Sequence, residues 1–193
     1  MRNIKIKLVI ACVLFIGKSY SQNKVETTSS VNIQLENTYV ITNILSDYNL
    51  TPLIQENKTY YWFKSGVIKK NQGGYNGKLL HGQYTECYSD KSLKQVGYFS
   101  YGLKNGSWKE WYINGALKES ANWKEGLLEG AYKRWDETGL VVFEGYYKNG
   151  KRHGIFKEVV NGCIVYSKYF NGRFKQNKKI FILNDNSKDN HQN

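Results

Sequence analysis

Residues 97–165 read GYFSYGLKNGSWKEWYINGALKES (97–120), ANWKEGLLEGAYKRWDETGLVVF (121–143) and EGYYKNGKRHGIFKEVVNGCIV (144–165), one pattern written three times. In each copy a leading glycine (Gly102, Gly126, Gly150) is followed four residues later by a second (Gly106, Gly130, Gly154). Two residues on stands a large aromatic (Trp108, Tyr132, Phe156), and three further on Trp111, Trp135 or Val159. Phe99, Trp123 and Tyr147 precede the leading glycines by three residues. The register extends outward to Gly77, Gly82, Tyr84 and Cys87 on one side and to Tyr169 and Gly172 on the other, with leading glycines spaced by 25, 24, 24 and 22 residues. A period of this size marks stacked structural units rather than a single packed core.

Asn-Gly between strand-like runs signals a hairpin, because a tight turn with positive φ costs Gly and Asn little. Asn114-Gly115 and Asn161-Gly162 are such pairs, with Thr138-Gly139 and Asp90-Lys91 at the same place in the other copies. Each copy is therefore expected to be a hairpin stacked on the one before it. Alternation puts Trp108, Glu110 and Tyr112 on one face of a strand and Trp111 on the other. Aromatic-on-aromatic stacking between copies is expected to supply most of the stability. Composition agrees with an all-β chain: 25 of the 29 aromatic residues lie between positions 60 and 181, and the chain holds 18 glycines but one proline. Aromatics favour pleated surfaces and glycine punctuates tight turns.

Upstream, Tyr60-Tyr61-Trp62-Phe63, Lys64-Ser65-Gly66 and Val67-Ile68-Lys69-Lys70 read as strand, turn and strand, an irregular first copy. Before it, Val31, Ile33 and Leu35 alternate with Asn32 and Gln34 as in a half-buried strand, residues 39–45 fit a short strand or a helix, and Pro52 marks a break. This leader is expected to cap the array, since an open sheet end templates aggregation unless blocked. Downstream of Asn171-Gly172, Gln176 replaces the second glycine, and residues 166–179 carry Lys168, Arg173, Lys175, Lys178 and Lys179 without an acid. Residues 180–183 fit a closing edge strand guarded by those cations. At the start of the chain, Arg2, Lys5 and Lys7 precede an apolar run at 8–17 too short for a settled membrane helix, and Ser19 and Ser21 sit at the −3 and −1 positions of a cut before Gln22. A secretory signal peptide fits better than a lipoprotein acylated at Cys12, which would strand the apolar residues 13–16 on the mature side. The expected organisation is a signal peptide at 1–21, a capping leader at 22–59, a hairpin array at 60–182 and a disordered tail at 183–193, with export to the periplasm, cell surface or exterior.

Asn149-Gly150-Lys151-Arg152-His153-Gly154, Gly102-Leu103-Lys104-Asn105-Gly106-Ser107-Trp108 and the Asn-Gly turns resemble the MORN repeat family over residues 60–182. The usual MORN pattern places another glycine two residues after the second. An aromatic stands there here, which is closer to the variant of the repeat in bacterial proteins labelled antitoxin-like. The resemblance implies an elongated single-layer antiparallel sheet of stacked β-hairpins, and proteins of this type are mostly described as interaction modules.

Chemistry-bearing residues are sparse. His81 and His153 precede the second glycine of their copies, where Asn105 and Glu129 stand in the others, so they are too far apart to share a metal and read as solvated turn residues. His191 lies in the tail. Cys87 and Cys163 invite a disulfide in an oxidising compartment. Three copies of two strands nevertheless separate them by roughly 29 Å, against about 7 Å for bridged Cα atoms. Cys87 takes the place of a Trp and reads as a small buried residue. No Ser–His–acid order, Cys–His pair, phosphate loop or fixed carboxylate pair stands out, and the acids alternate with lysines as cross-strand pairs do. No catalytic, metal or cofactor-binding residue is assigned, and no cofactor is expected.

The positive charge belongs to the repeats: residues 60–182 hold 21 Lys and Arg against 10 Asp and Glu, and loss of residues 1–22 takes the formal net charge from +12 to +8. Such a surface attracts anionic partners. Lys168, Arg173, Lys175, Lys178, Lys179 and Trp111 are the candidate partner-binding residues, while Gly77, Gly82, Gly102, Gly106, Gly126, Gly130, Gly150, Gly154 and Gly172 are read as structural. The expected function is a secreted, non-enzymatic scaffold that binds a protein. The alternatives are an anionic lipid or glycan at the envelope, or antitoxin-like neutralisation of a partner protein; nucleic acid is disfavoured outside the cytoplasm. Beyond the signal peptide no apolar run approaches membrane-spanning length.

Overall fold

Paired positive φ values mark six two-residue turns, Ser65-Gly66, Tyr101-Gly102, Glu125-Gly126, Asn149-Gly150, Asn161-Gly162 and Asn171-Gly172. Two left-handed residues in succession give a turn whose twist matches that of the flanking strands, so each closes a tight antiparallel hairpin. Asn114-Gly115 and Thr138-Gly139 form a different turn, in which only the glycine has positive φ (82° and 87°). There the amides of Tyr112 and Asp136 donate to the carbonyls of Ala116 and Leu140, four residues on.

The computed structural model describes residues 27–46 and 52–182, the last six by backbone alone. The expected signal peptide, Cys12, His191 and the expected tail lie outside the described residues. Thirteen strands follow in chain order: β1 (Thr28–Gln34), β2 (Thr38–Leu45), β3 (Thr59–Lys64), β4 (Val67–Gln72), β5 (Lys78–Tyr88), β6 (Leu93–Ser100) and β7 (Leu103–Trp111). After them come β8 (Leu117–Lys124), β9 (Leu127–Trp135), β10 (Val141–Lys148), β11 (Lys151–Val160), β12 (Cys163–Phe170) and β13 (Arg173–Ile182). The main sheet runs β1-β2-β5-β6-β7-β8-β9-β10-β11-β12-β13 without closing. Ten steps at ~4.8 Å make it about 48 Å across the strands. The expected all-β, elongated, antiparallel and sequentially ordered sheet is what the chain forms.

Residues 39–45, which fit strand or helix on sequence, are strand. Thr38, Val40, Thr42 and Ile44 point alternately into the core, and β2 pairs with β5 from Thr38↔Tyr88 to Ile44↔Leu80. The β1–β2 hairpin thus extends the sheet itself. The β3–β4 hairpin does not take its place in line. The β3–β5 ladder is confined to Trp62↔Leu79 and Phe63↔Lys78, because β2 occupies the rest of that edge. The hairpin instead folds across one face of the sheet. Tyr61, Phe63 and Ile68 pack on Leu80, Tyr84, Phe99 and Trp108, while Tyr60 and Trp62 join Leu45, Leu79 and Leu103. The molecule therefore has two layers over β5–β7. Among the described residues, no strand crosses that face beyond β8.

The second glycines are not turn residues. Gly82, Gly106, Gly130 and Gly154 lie inside β5, β7, β9 and β11 with φ of 102°, 70°, 103° and 84°. At each of them three residues face one across the ladder, opposite Asn43, Gly97, Asn122 and Gly145. These are enlarged bulges of the special kind, which bend the strand and raise its twist, and the left-handed backbone they need favours glycine. On the strand's other edge the aromatic two residues on faces a small residue. Tyr84 pairs with Gly97, Trp108 with Ala121, Tyr132 with Gly145 and Phe156 with Ser167. A Cβ on Gly97 or Gly145 would lie 2.1 or 2.2 Å from the ring of Trp108 or Phe156.

Candidate interaction surface

The face under the β3–β4 hairpin carries two ring clusters, one over β5–β7 and one over β9–β13. Tyr61 stacks on Phe99 at 4.9 Å between centroids, Phe99 meets Trp108 at 4.8 Å and Tyr84 meets both at 5.5 Å. Farther along, Tyr132 contacts Phe143 and Tyr147, Phe156 contacts Phe143, Tyr147 and Tyr169, and Tyr169 contacts Phe174, all at 5.4–5.7 Å. The stacking expected between copies is thus present, and edge-on or tilted rings at these distances attract beyond the area they bury.

Cations lie on the rings. Lys104 Nζ sits 4.0 Å from the Trp108 ring centroid, 5.3 Å from Trp123 and 6.0 Å from Tyr61. Burial pulls the Lys104 ammonium below its ordinary pKa, a fall that the carboxylates of Glu119, Glu110 and Glu86 oppose. Arg152 lies over Phe143, Phe156 and Tyr169 at 5.0–5.2 Å and donates to the Tyr169 hydroxyl at 3.1 Å. Burial lowers its pKa, but hydrogen bonds with Tyr147 and Tyr169 outweigh that and leave it raised. Arg134 lies over Phe143 at 5.0 Å. Among the described residues neither arginine forms an ion pair.

The acids serve cross-strand contacts, as expected. Glu86 pairs with Lys94 at 2.8 Å, Glu110 with Lys118 at 2.6 Å and Glu144 with Lys133 at 3.0 Å. Tyr84 and Tyr132 donate to Glu86 and Glu119. Burial and those carboxylates raise both phenols well above the ordinary range. On the opposite face one cross-strand row runs Val96, Lys109, Ser120, Lys133, Glu144, Lys157 and Tyr166.

Along the turn edge, the position before each second glycine ties one copy to the next. His81 Nδ1 accepts the Tyr101 amide at 3.2 Å, Asn105 Oδ1 the Glu125 amide at 3.2 Å and Glu129 Oε2 the Asn149 amide at 2.6 Å. Backbone bonds run beside these, from Gly102, Gly126, Gly150 and Gly172 to the carbonyls of Leu80, Lys104, Leu128 and Arg152. His81 is therefore a buried acceptor in β5 rather than a solvated turn residue. The series ends at His153, whose Nδ1 is buried without a partner, as is Trp123 Nε1.

The sequence-predicted partner residues do not form one patch. Lys168 is exposed on β12, Arg173 and Lys175 are exposed on β13, and Lys178 and Lys179 lie on β13. Trp111 is half-buried on β7, five strands and so about 24 Å away. Cys87 is buried, Cys163 is half-buried, and both are free on strands seven places apart, about 34 Å. The predicted structural glycines occupy bulges and turns as described, except Gly77, where a Cβ would lie 2.5 Å from the Phe63 carbonyl because β3 rests on it. Sequence reading missed the Arg134 and Arg152 positions, although Lys104 and Arg152 share a register place two periods apart.

A cleft along the turn edge is lined by Lys58, Tyr60, Tyr101, Asn105, Lys124 and Glu125. Lys58 is buried there and meets the exposed carboxylate of Glu125 at 3.3 Å. Among the described residues no three His, Cys, Asp or Glu gather as metal ligands, and no helix is long and apolar enough to cross a membrane. No protein-family model matches the chain, and no curated protein matches it.

Proposed function

We propose that this protein is a non-enzymatic binding scaffold, built from MORN-like hairpins and exported, whose open sheet holds another protein. The observation that carries this reading is the aromatic face beyond β8, where no other layer of the described chain lies over Tyr132, Tyr147, Tyr169 and Phe174, the rings that surround buried Phe143 and Phe156. Phe174 there is 54% exposed. Large rings presented on a rigid, regular surface make contact area at little cost in conformational entropy. A photo-crosslinking residue at Phe174 in the secreted chain, with adducts identified by mass spectrometry, tests it. A defined protein adduct is expected, and the mature chain should begin at Gln22. Retention inside the cell, or adducts confined to lipid or glycan, would overturn the reading.

An anionic lipid or glycan is the second reading, favoured by the row that holds Lys109, Lys133 and Lys157 and by exposed Lys168 on the other face. Co-sedimentation with phosphatidylglycerol vesicles that falls steeply between low and moderate salt would support it.

A further inference from the structure

We propose that the face of β9–β12 around Tyr147, Arg152 and Phe156 docks an extended acidic segment of a partner protein, in the place that β3 occupies two copies earlier. This rests on the scaffold reading and names its surface. The repeat supplies an internal template. Phe99, Lys104 and Trp108 recur 48 residues later as Tyr147, Arg152 and Phe156. The first trio is roofed by the β3–β4 hairpin, with Tyr61 on Phe99 and its amide bonded to the Gly102 carbonyl at 2.7 Å. The second trio has the same register and the same ring-over-small packing, but no strand over it among the described residues.

Charge decides what the occupant carries. Lys104 lies in the field of three carboxylates, Glu86, Glu110 and Glu119. Four strands along, the corresponding positions hold Arg134, Glu158 and Val165. Two carboxylates are lost and a second guanidinium appears; Glu119 stands opposite Arg134 across β8 and β9, but among the described residues neither Arg134 nor Arg152 is ion-paired. Planar guanidiniums resting on rings suit bidentate carboxylate contacts, and Arg152 commits only part of its five N–H groups to Tyr147 and Tyr169. A second copy of this chain fits poorly, because residues 60–182 carry an excess of eleven positive charges. An acidic segment with interspersed aromatics matches both the rings and the cations.

The probe is a random copolymer of glutamate and tyrosine, titrated against the full chain at moderate salt. Arg134→Gln with Arg152→Gln should weaken binding at least tenfold, while Lys109→Gln with Lys157→Gln on the other face should change it less than twofold. A benzophenone residue at Phe174, otherwise wild type, should crosslink the copolymer, and one at Tyr98 on the opposite face should not. This second measurement stands even if the arginine pair fails to fold. Unchanged binding by a folded arginine variant, or crosslinking from Tyr98 alone, overturns the surface but leaves the scaffold reading intact. Arginine-dependent capture of heparin or phosphatidylglycerol vesicles but not the copolymer overturns the polypeptide occupant, as does arginine-dependent dimerisation in sedimentation. Binding of no macromolecule at all overturns both readings.

Discussion

Gly145→Ala should destabilise the sheet by about 1–3 kcal/mol, the usual cost of forcing extra atoms into a packed core. The added Cβ would fall 2.2 Å from Cδ1 and Cε1 of Phe156, where carbon atoms rest about 3.5–4.0 Å apart. The Phe156 ring would have to shift by more than about 1 Å. It is 1% exposed and wedged among Phe143, Tyr147 and Tyr169, with Arg152 over it at 5.0 Å, so that shift disturbs four neighbours. For a chain of this size each kcal/mol moves the melting temperature by about 2–4 °C, so a fall of about 2–12 °C is expected in a thermal melt. Phe156→Leu in the Gly145→Ala background should relieve part of the clash, leaving the double variant more stable than the sum of the single losses. A Gly145→Ala protein within about 0.5 kcal/mol of wild type, or strictly additive variants, would refute the ring-over-glycine packing.

Asn105→Ala leaves the Glu125 amide without its acceptor, which should cost about 0.5–1.5 kcal/mol and speed hydrogen exchange at that amide in particular. Asp136 accepts from Thr138 Oγ1 at 2.6 Å and from the amides of Thr138 and Leu140, which hold its carboxyl below the ordinary range. A depressed carboxyl stabilises the fold above the unfolded pKa of about 3.9 and loses that contribution as pH falls through the folded value. The Thr138 amide shift should therefore titrate with a midpoint below about 3.9, and a midpoint at or above it would contradict the contact. Of the two described cysteines, Cys163 should react with a thiol reagent in the native protein and Cys87 only after unfolding, in a Cys12→Ser background.

Hairpin register was legible because turn pairs and ring spacing are local properties. Asn149-Gly150 announces its turn wherever the chain is read. The roofing by β3–β4 was not legible, since the strand pattern of Tyr60-Tyr61-Trp62-Phe63 is the same whether β3 joins the sheet or lies across it. That outcome is decided by β2 competing for β5, a contact across some forty residues. The bulges were half visible: the second glycines stood out, but their strand positions depend on Gly97, Ala121 and Gly145 accepting rings from the neighbouring strand. Those three small residues recur at the 24-residue period, a signal that the louder glycines masked. The basic cluster at residues 168–179 drew attention through charge alone. Arg152 acquires its interest only beside Phe156 and without the acids that surround Lys104.

Order along the chain equals order across the sheet from β5 to β13, and this has a mechanical consequence. Pulled apart at β1 and β13, such a sheet is loaded edge first, so its hairpins peel away a few bonds at a time instead of shearing together. Each 24-residue copy holds about 10 Å of sheet width and releases on the order of 80 Å of chain. The far end lacks one tie, since His153 Nδ1 has no partner, while the β3–β4 roof adds packing over β5–β7. Under tension the molecule would lengthen stepwise from one end, and it would rewind one hairpin at a time.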